Sequence, residues 1–180
     1  MTKKLLITIT LFAYYFTSYA QGDVSDSVHV GLKKNVVHIS AGFVPLRGAY
    51  NLNYERMIAE LSKSFINSIL LRVGGGEWGA WAVGGSHLVG GVSILTGSRK
   101  GHVEFNAGLT RLYDRLGYEG HIESNLLFNN NEPPPPKSQF VYYYPAGALG
   151  YRYQKPGGHF VFRTGIGYPE TIYIGFGAAF

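Results

Sequence analysis

The 180-residue chain contains no cysteine. That excludes disulfide frameworks, thiolate metal sites, cysteine nucleophiles and a lipid anchor on an N-terminal cysteine. Charge is also scarce. Asp, Glu, Lys and Arg make up 15% of the residues, against about 25% in an average soluble domain. Beyond residue 20 no apolar run reaches the roughly 18 residues that a membrane-spanning helix needs. A closed β-barrel is then the one membrane architecture left, because it too pairs every backbone group that would face lipid. No basic helix or stripe exists either. The formal charge is +5, but Lys3 and Lys4 fall in a segment expected to be removed, which leaves 14 basic residues, scattered, against 11 acidic ones. Nucleic-acid binding is not expected. The six histidines are dispersed. His121-x-Glu123 supplies two ligands at most, so neither a metal nor another cofactor is expected.

Glycine and aromatic residues are what the chain has in quantity. It carries 25 Gly and 14 Tyr, and aromatics reach 15%. Such a mixture suits a sheet that turns apolar surface outward. The first twenty residues read as a secretory signal. Lys3 and Lys4 give the positive start, Leu5 to Phe16 the apolar stretch, and Ser18-Tyr19-Ala20 the small residues of a cleavage site before Gln21. Residues 21–34 are polar and lack a core pattern, as expected of a short periplasmic lead-in.

From Asn35 onward, alternation of period two recurs between turn signals. The clearest segment is Ala49–Ile58. Tyr50, Leu52, Tyr54 and Ile58 fall on one face, with Arg56 the exception, and Asn51, Asn53 and Glu55 fall on the other. A helix would scatter those three polar residues. The alternation predicts eight strands at about 35–44, 49–58, 64–75, 81–96, 102–112, 140–153, 159–168 and 171–180, with a tight turn at Gly97–Gly101. Gly76–Gly79 is expected to be a loop, and Pro145 to mark a bulge or a weak start of its strand. Residues 113–138, with Asn129–Asn131 and Pro133–Pro136, are expected to form one long loop, since a proline run cannot be a central strand. The reading is an all-β, eight-stranded antiparallel up-and-down transmembrane barrel over 35–180. Its termini would lie on the periplasmic side and its long loop outside, where bacterial barrels keep their longer loops.

The inward faces collect His38, Asn51, Asn53, Glu55, Ser68, Arg72, Glu104, Asn106, Thr110, Arg152 and Arg163. Glu55, Arg72, Glu104, Arg152 and Arg163 are expected to form a charge network, because an unpaired buried charge costs several kcal/mol. Eight strands enclose a space just wide enough for side chains to fill, so a plugged interior is expected. Tyr50, Tyr54, Trp78, Trp81, Tyr142, Tyr151, Tyr153 and Tyr168 are placed as boundary girdles. A soluble ligand-binding barrel would show the opposite alternation, with its polar face outward.

The last eight residues, Tyr173 to Phe180, have apolar side chains at every second position and end in Phe. With Phe176 and Phe180 they resemble the terminal signal read by the outer-membrane barrel assembly machinery. Together with Asn53-Tyr54-Glu55-Arg56, His102 to Leu109, Leu149 to Gln154 and Gly158 to Gly165, they resemble the small outer-membrane protein β-barrel domain family. This resemblance implies a bacterial outer-membrane location, with lipid and lipopolysaccharide as surroundings. It names no extracellular partner and implies no reaction.

One constellation bears on catalysis. His38-x-Ser40 with Glu55 is similar to the His-x-Ser plus Glu arrangement of outer-membrane lipid A deacylases, in which His38 would be the base, Ser40 the nucleophile and Glu55 the orienting acid. The facing puts all three in the lumen, whereas a lipid substrate needs them on the outer wall. A non-enzymatic protein of structural or surface-interaction type is therefore expected. A narrow passive channel and a lipid A-modifying enzyme are the alternatives.

Overall fold

The computed structural model describes residues 31–61, 65–81, 83–97, 100–128 and 133–180. The expected leader at 1–20, and most of the lead-in at 21–34, lie outside the described residues. Eight antiparallel strands close a barrel in sequence order: β1 (Asn35–Val44), β2 (Arg47–Glu60), β3 (Ile66–Ala80), β4 (Val83–Thr96), β5 (Gly101–Asp114), β6 (Val141–Gln154), β7 (Phe160–Tyr168) and β8 (Thr171–Ala179).

The register fixes the shape. Paired residues lead from Ser40 through Asn51, Gly76, His87 and Leu112 to Tyr142 on β6. In the other direction they lead through Gly175 and Arg163 to Arg152, ten residues further along the same strand. A stagger of ten over eight strands tilts them by roughly 40° from the axis, given the usual rise and spacing.

Alternation decides the faces as the sequence predicts. Every residue of the expected inward set is buried except Asn106, which is half-buried. Outside, Ile39, Leu52, Leu71, Val73, Leu88, Leu109, Ile166 and Ile172 are each half exposed or more. Both ends of the lumen are covered. At the end carrying the C-terminus, Leu32, Leu70 and Leu95 pack together with Met57, and Val36, Val161 and Ala179 form a second apolar group. At the opposite end the guanidinium of Arg47 lies over the ring of Tyr168, 4.6 Å from its centroid, and 5.9 Å from that of Trp78.

Four expectations need correction. Gly76–Gly79 is strand, because β3 continues to Ala80. Gly76 is a site of close approach, where a Cβ would fall 1.7 Å from the Tyr50 carbonyl oxygen on β2, whereas a Cβ at Gly79 would meet nothing within 4 Å. Residues 113–138 are not one irregular loop. β5 runs to Asp114, and a helix, α1 (Arg115–Leu127), follows it, with a 3₁₀ turn at Lys137–Phe140. Asp114 caps the helix by accepting from Gly117 N–H at 3.0 Å, and its Oδ1 also accepts from Gly84 N–H at 3.0 Å, which ties the helix start to β4. α1 buries no residue and contains Gly117 and Gly120, so neither periodicity nor propensity announced it. Of the two readings of Pro145, the bulge is absent and the start of the strand is paired on one flank alone. Pro145 stays in register with Leu109, and the β6–β7 ladder starts only at Gly147, so at Pro145 only one flank of β6 needs donors. Finally, Trp78 and Tyr168 are not girdle residues. Trp78 shares the lumen-facing parity of Arg72, and both rings hold Arg47.

Candidate functional site

The chemistry-bearing side chains converge in the lumen, in two ionic clusters. The deeper one is built entirely from mid-strand residues. Glu55 of β2 accepts from Arg152 Nη1 at 2.6 Å and from Ser93 Oγ at 3.4 Å, and meets His38 Nε2 at 3.2 Å. Arg152 also donates from Nε to Gln154 Oε1 at 3.0 Å. Arg163 of β7 forms a two-pronged pair with Glu104 of β5, its Nε donating to Oε2 at 2.9 Å and its Nη2 to Oε1. Its Nη1 lies 2.5 Å from His38 Nε2, 3.1 Å from His38 Nδ1 and 3.6 Å from Glu55 Oε1. Arginine can only donate, so the His38 nitrogen facing it must accept. The four charged groups are at most 1% exposed. Two carboxylates thus neutralise two guanidiniums out of contact with water, the condition under which buried charge is tolerated.

The second cluster is nearer the Arg47 end. Arg72 of β3 donates from Nε to Asn53 Oδ1 at 2.9 Å and from Nη2 to Glu170 Oε1 at 2.7 Å. Ser40 Oγ donates to the same Glu170 oxygen at 3.4 Å, and Asn53 Nδ2 donates to Ser40 Oγ at 3.5 Å. Glu170 sits in the β7–β8 turn yet is only 3% exposed. Burial pushes its carboxyl up, but the Arg72 ion pair and hydrogen bond outweigh that and hold it below its ordinary value of 4.5. Beside this pair a cavity of about 20 Å³ is walled by the small residues Gly91, Gly108, Ala146 and Ala148. A void of that size holds about one water.

Every residue of the expected charge network is present in the lumen, but Arg72 stands apart from the other four. Glu170 was missed. Alternation cannot predict a turn residue that folds inward, yet the inward set offered a signal, since its three guanidiniums faced only two carboxylates. His87, His102, Gln154 and Tyr173 were missed as well. All are buried on the lumen side, and His87 contacts Asn51. The glycine-rich stretch around His87 blurred the alternation there.

Of the possible catalytic trio, the structure brings together His38 and Glu55 but not Ser40, whose hydroxyl turns to Glu170 and Asn53. His38 and Ser40 are each 1% exposed. Among the described residues no group of three or more His, Asp or Glu is placed to hold a metal ion. His121 lies on α1 with its ring 6.3 Å from that of Phe140. Phe176 points outward on β8 against the rings of Phe160 and Phe162, and Phe180 is half exposed. Comparison with models of protein families, with curated proteins and with solved structures returns no match. The family resemblance rests on its motifs, and the fold agrees with its size class: a closed, eight-stranded antiparallel barrel.

Proposed function

We propose that the protein is an integral barrel of a bacterial outer membrane, non-enzymatic and sealed, whose role is structural or surface-directed. The inverted distribution of polarity carries this reading. Ion pairs fill the interior while the exterior is apolar, the reverse of what water selects. The dimensions support it. On β3 the outward residues between Asn67 and Glu77 are Ile69, Leu71, Val73 and Gly75, and on β5 those between Gly101 and Arg111 are Val103, Phe105, Ala107 and Leu109. Ten residues at about 3.3 Å each, tilted by about 40°, rise roughly 25 Å along the axis, the height of the apolar band on membrane barrels. Outward-facing Tyr54, Tyr151, Tyr153 and Phe160 would form the girdle on the side of the termini, which would be periplasmic. The opposite end, with α1 and the exposed Tyr142, Tyr143 and Tyr144, would face outward and offer the contact surface to a partner.

The test is expression with the signal, followed by fractionation and gel mobility before and after heating. Recovery with the outer membrane, a detergent requirement and heat-modifiable mobility are expected. A water-soluble periplasmic species would overturn the reading. The two ion-pair clusters and the covered ends favour a plug over a channel, so planar bilayers should show no steady conductance steps. The hydrogen bonds of Ser40 to Glu170 and Asn53 favour no acyl transfer, so overproduction should leave the mass of lipid A unchanged.

A further inference from the structure

The two apolar groups at the terminal end of the lumen differ in origin. Val36, Val161 and Ala179 all belong to the barrel wall, on β1, β7 and β8. Leu70, Leu95 and Met57 also come from the wall, on β3, β4 and β2, but the residue that completes their cluster does not. Leu32 precedes the first strand and is 7% exposed. It rides on a four-residue strap, Gly31–Lys34, that lies across the barrel end. The Gly31 carbonyl accepts from Gly157 N–H, in the β6–β7 turn, at 3.0 Å, and the Lys34 carbonyl accepts from Met57 N–H, on β2, at 2.7 Å. A Cβ at Gly31 would meet the Glu60 carboxylate at 2.3 Å, so the strap also presses on the end of β2. Its two cross-end attachments thus lie on opposite sides of the β1–β8 seam, with the buried leucine between them.

We propose that Gly31–Lys34 is a withdrawable stopper for this end of the lumen, sealing the β2–β3–β4 side by inserting Leu32. A wall strand is bonded along both flanks and cannot leave without opening the barrel. The strap has two backbone hydrogen bonds to other elements and one buried side chain, which places it at the low-stability end of the molecule. The chain that precedes residue 31 continues directly from it, so whatever engages that segment can pull on the stopper. Lifting Leu32 uncovers Leu70, Leu95 and the adjoining Ser68 while leaving both ionic clusters intact. The barrel would then have a terminal side that switches between sealed and wetted without unfolding. This does not rest on the membrane reading, since a stopper works alike in any closed barrel.

The absence of native cysteine gives a clean test. Ser68 is fully buried and pairs with Glu60 and Leu95 at that end, whereas Ser40 is buried in the cluster towards the other end. The full chain carrying Ser68→Cys or Ser40→Cys would be treated, folded, with a charged maleimide that does not cross membranes. With Leu32 in place, both cysteines should react slowly. Adding Leu32→Asp should speed labelling of the S68C chain at least tenfold and leave that of the S40C chain unchanged, whereas Leu32→Met should leave both slow. Equal rates for S68C with and without L32D would overturn the stopper. A parallel rise at both cysteines would overturn it too, since that is the mark of a loosened barrel. If L32D does not fold, Leu32→Ala makes the same discrimination: unchanged S68C labelling in the folded L32A chain refutes the proposal.

Discussion

The two ionic clusters of the lumen are built from the same groups but held in different ways. In the deeper one, Glu55, Glu104, Arg152 and Arg163 all come from strand interiors, and each carboxylate meets a guanidinium from a non-adjacent or distant part of the chain. In the other, the carboxylate hangs from a turn, and Arg72 keeps a second partner in Asn53. The deeper cluster therefore has backbone rigidity and a carboxylate, Glu55, that Arg152, Arg163 and His38 share. The other has one carboxylate for one guanidinium, and a turn for backbone on one side. Pairing alone does not determine what a buried charge contributes; what remains when one partner is lost matters as much.

The sharpest way to break the comparison is Glu55→Ala. It strips Arg152 of its carboxylate partner and takes the same group away from His38, while Arg163 keeps Glu104, and removing one partner of a buried pair costs about 3–5 kcal/mol. The midpoint of loss of heat-modifiable mobility, or of urea unfolding in detergent, should fall accordingly. A Glu55→Gln, Arg152→Gln double variant should lose less than the sum of its two single changes, because it removes a charge of each sign. An additive result would mean that the cluster is not a unit.

Next in size is a change outside the clusters that tests the surroundings on which both depend. Leu71 faces outward in the middle of the apolar band. Leu71→Arg should cost about 2–4 kcal/mol where that face meets lipid, and close to nothing where it meets water. Refolding into lipid vesicles and measuring denaturant midpoints reads the difference, and a neutral result would remove the lipid from the argument.

These contrasts also show what the sequence could convey. The faces of β2 and β5 were legible because a period of two forces every second side chain inward, and long runs such as Asn51-x-Asn53-x-Glu55 leave no other arrangement. Strand number and the network of Glu55, Glu104, Arg152 and Arg163 followed from that. Glu170 was not legible, since alternation ends where a strand ends. α1 was hidden because it buries nothing and so imposes no apolar rhythm. Leu32 was hidden for a related reason, as one apolar residue in a polar stretch has no period. The legible part of the chain is the part that repeats, and the unread residues lie where the chain turns, caps or crosses.

Glu170→Gln should weaken the second cluster by about 2 kcal/mol, within the range of charge-assisted hydrogen bonds, and so by less than the deeper change. It also carries a pH signature. The Glu170 carboxyl is held below its ordinary 4.5 in the folded chain, so its contribution is complete above that value and disappears as the pH falls through the lower folded value. The stability gap between the native chain and E170Q should therefore be constant at neutral pH and close on acidification. A gap unchanged by acidification would mean that folding does not alter the proton affinity of Glu170, and so that Arg72 does not hold its carboxylate.

The smallest effect belongs to the cover over that cluster. Arg47 lies on the ring of Tyr168 and near that of Trp78, and among the described residues it forms no ion pair with a carboxylate. Its hold is that of a cation on aromatic faces, worth about 0.5–1 kcal/mol per ring at a partly exposed site. Tyr168→Leu keeps apolar bulk and removes the ring's negative face, so the unfolding midpoint should shift by no more than that. If Arg47 also screens the Arg72–Glu170 pair from water, the Leu variant should bring the Glu170 midpoint closer to its ordinary 4.5. A stability loss without any change in acid titration would reduce the cover to packing, and the second cluster would then owe its seal to the turn that carries Glu170.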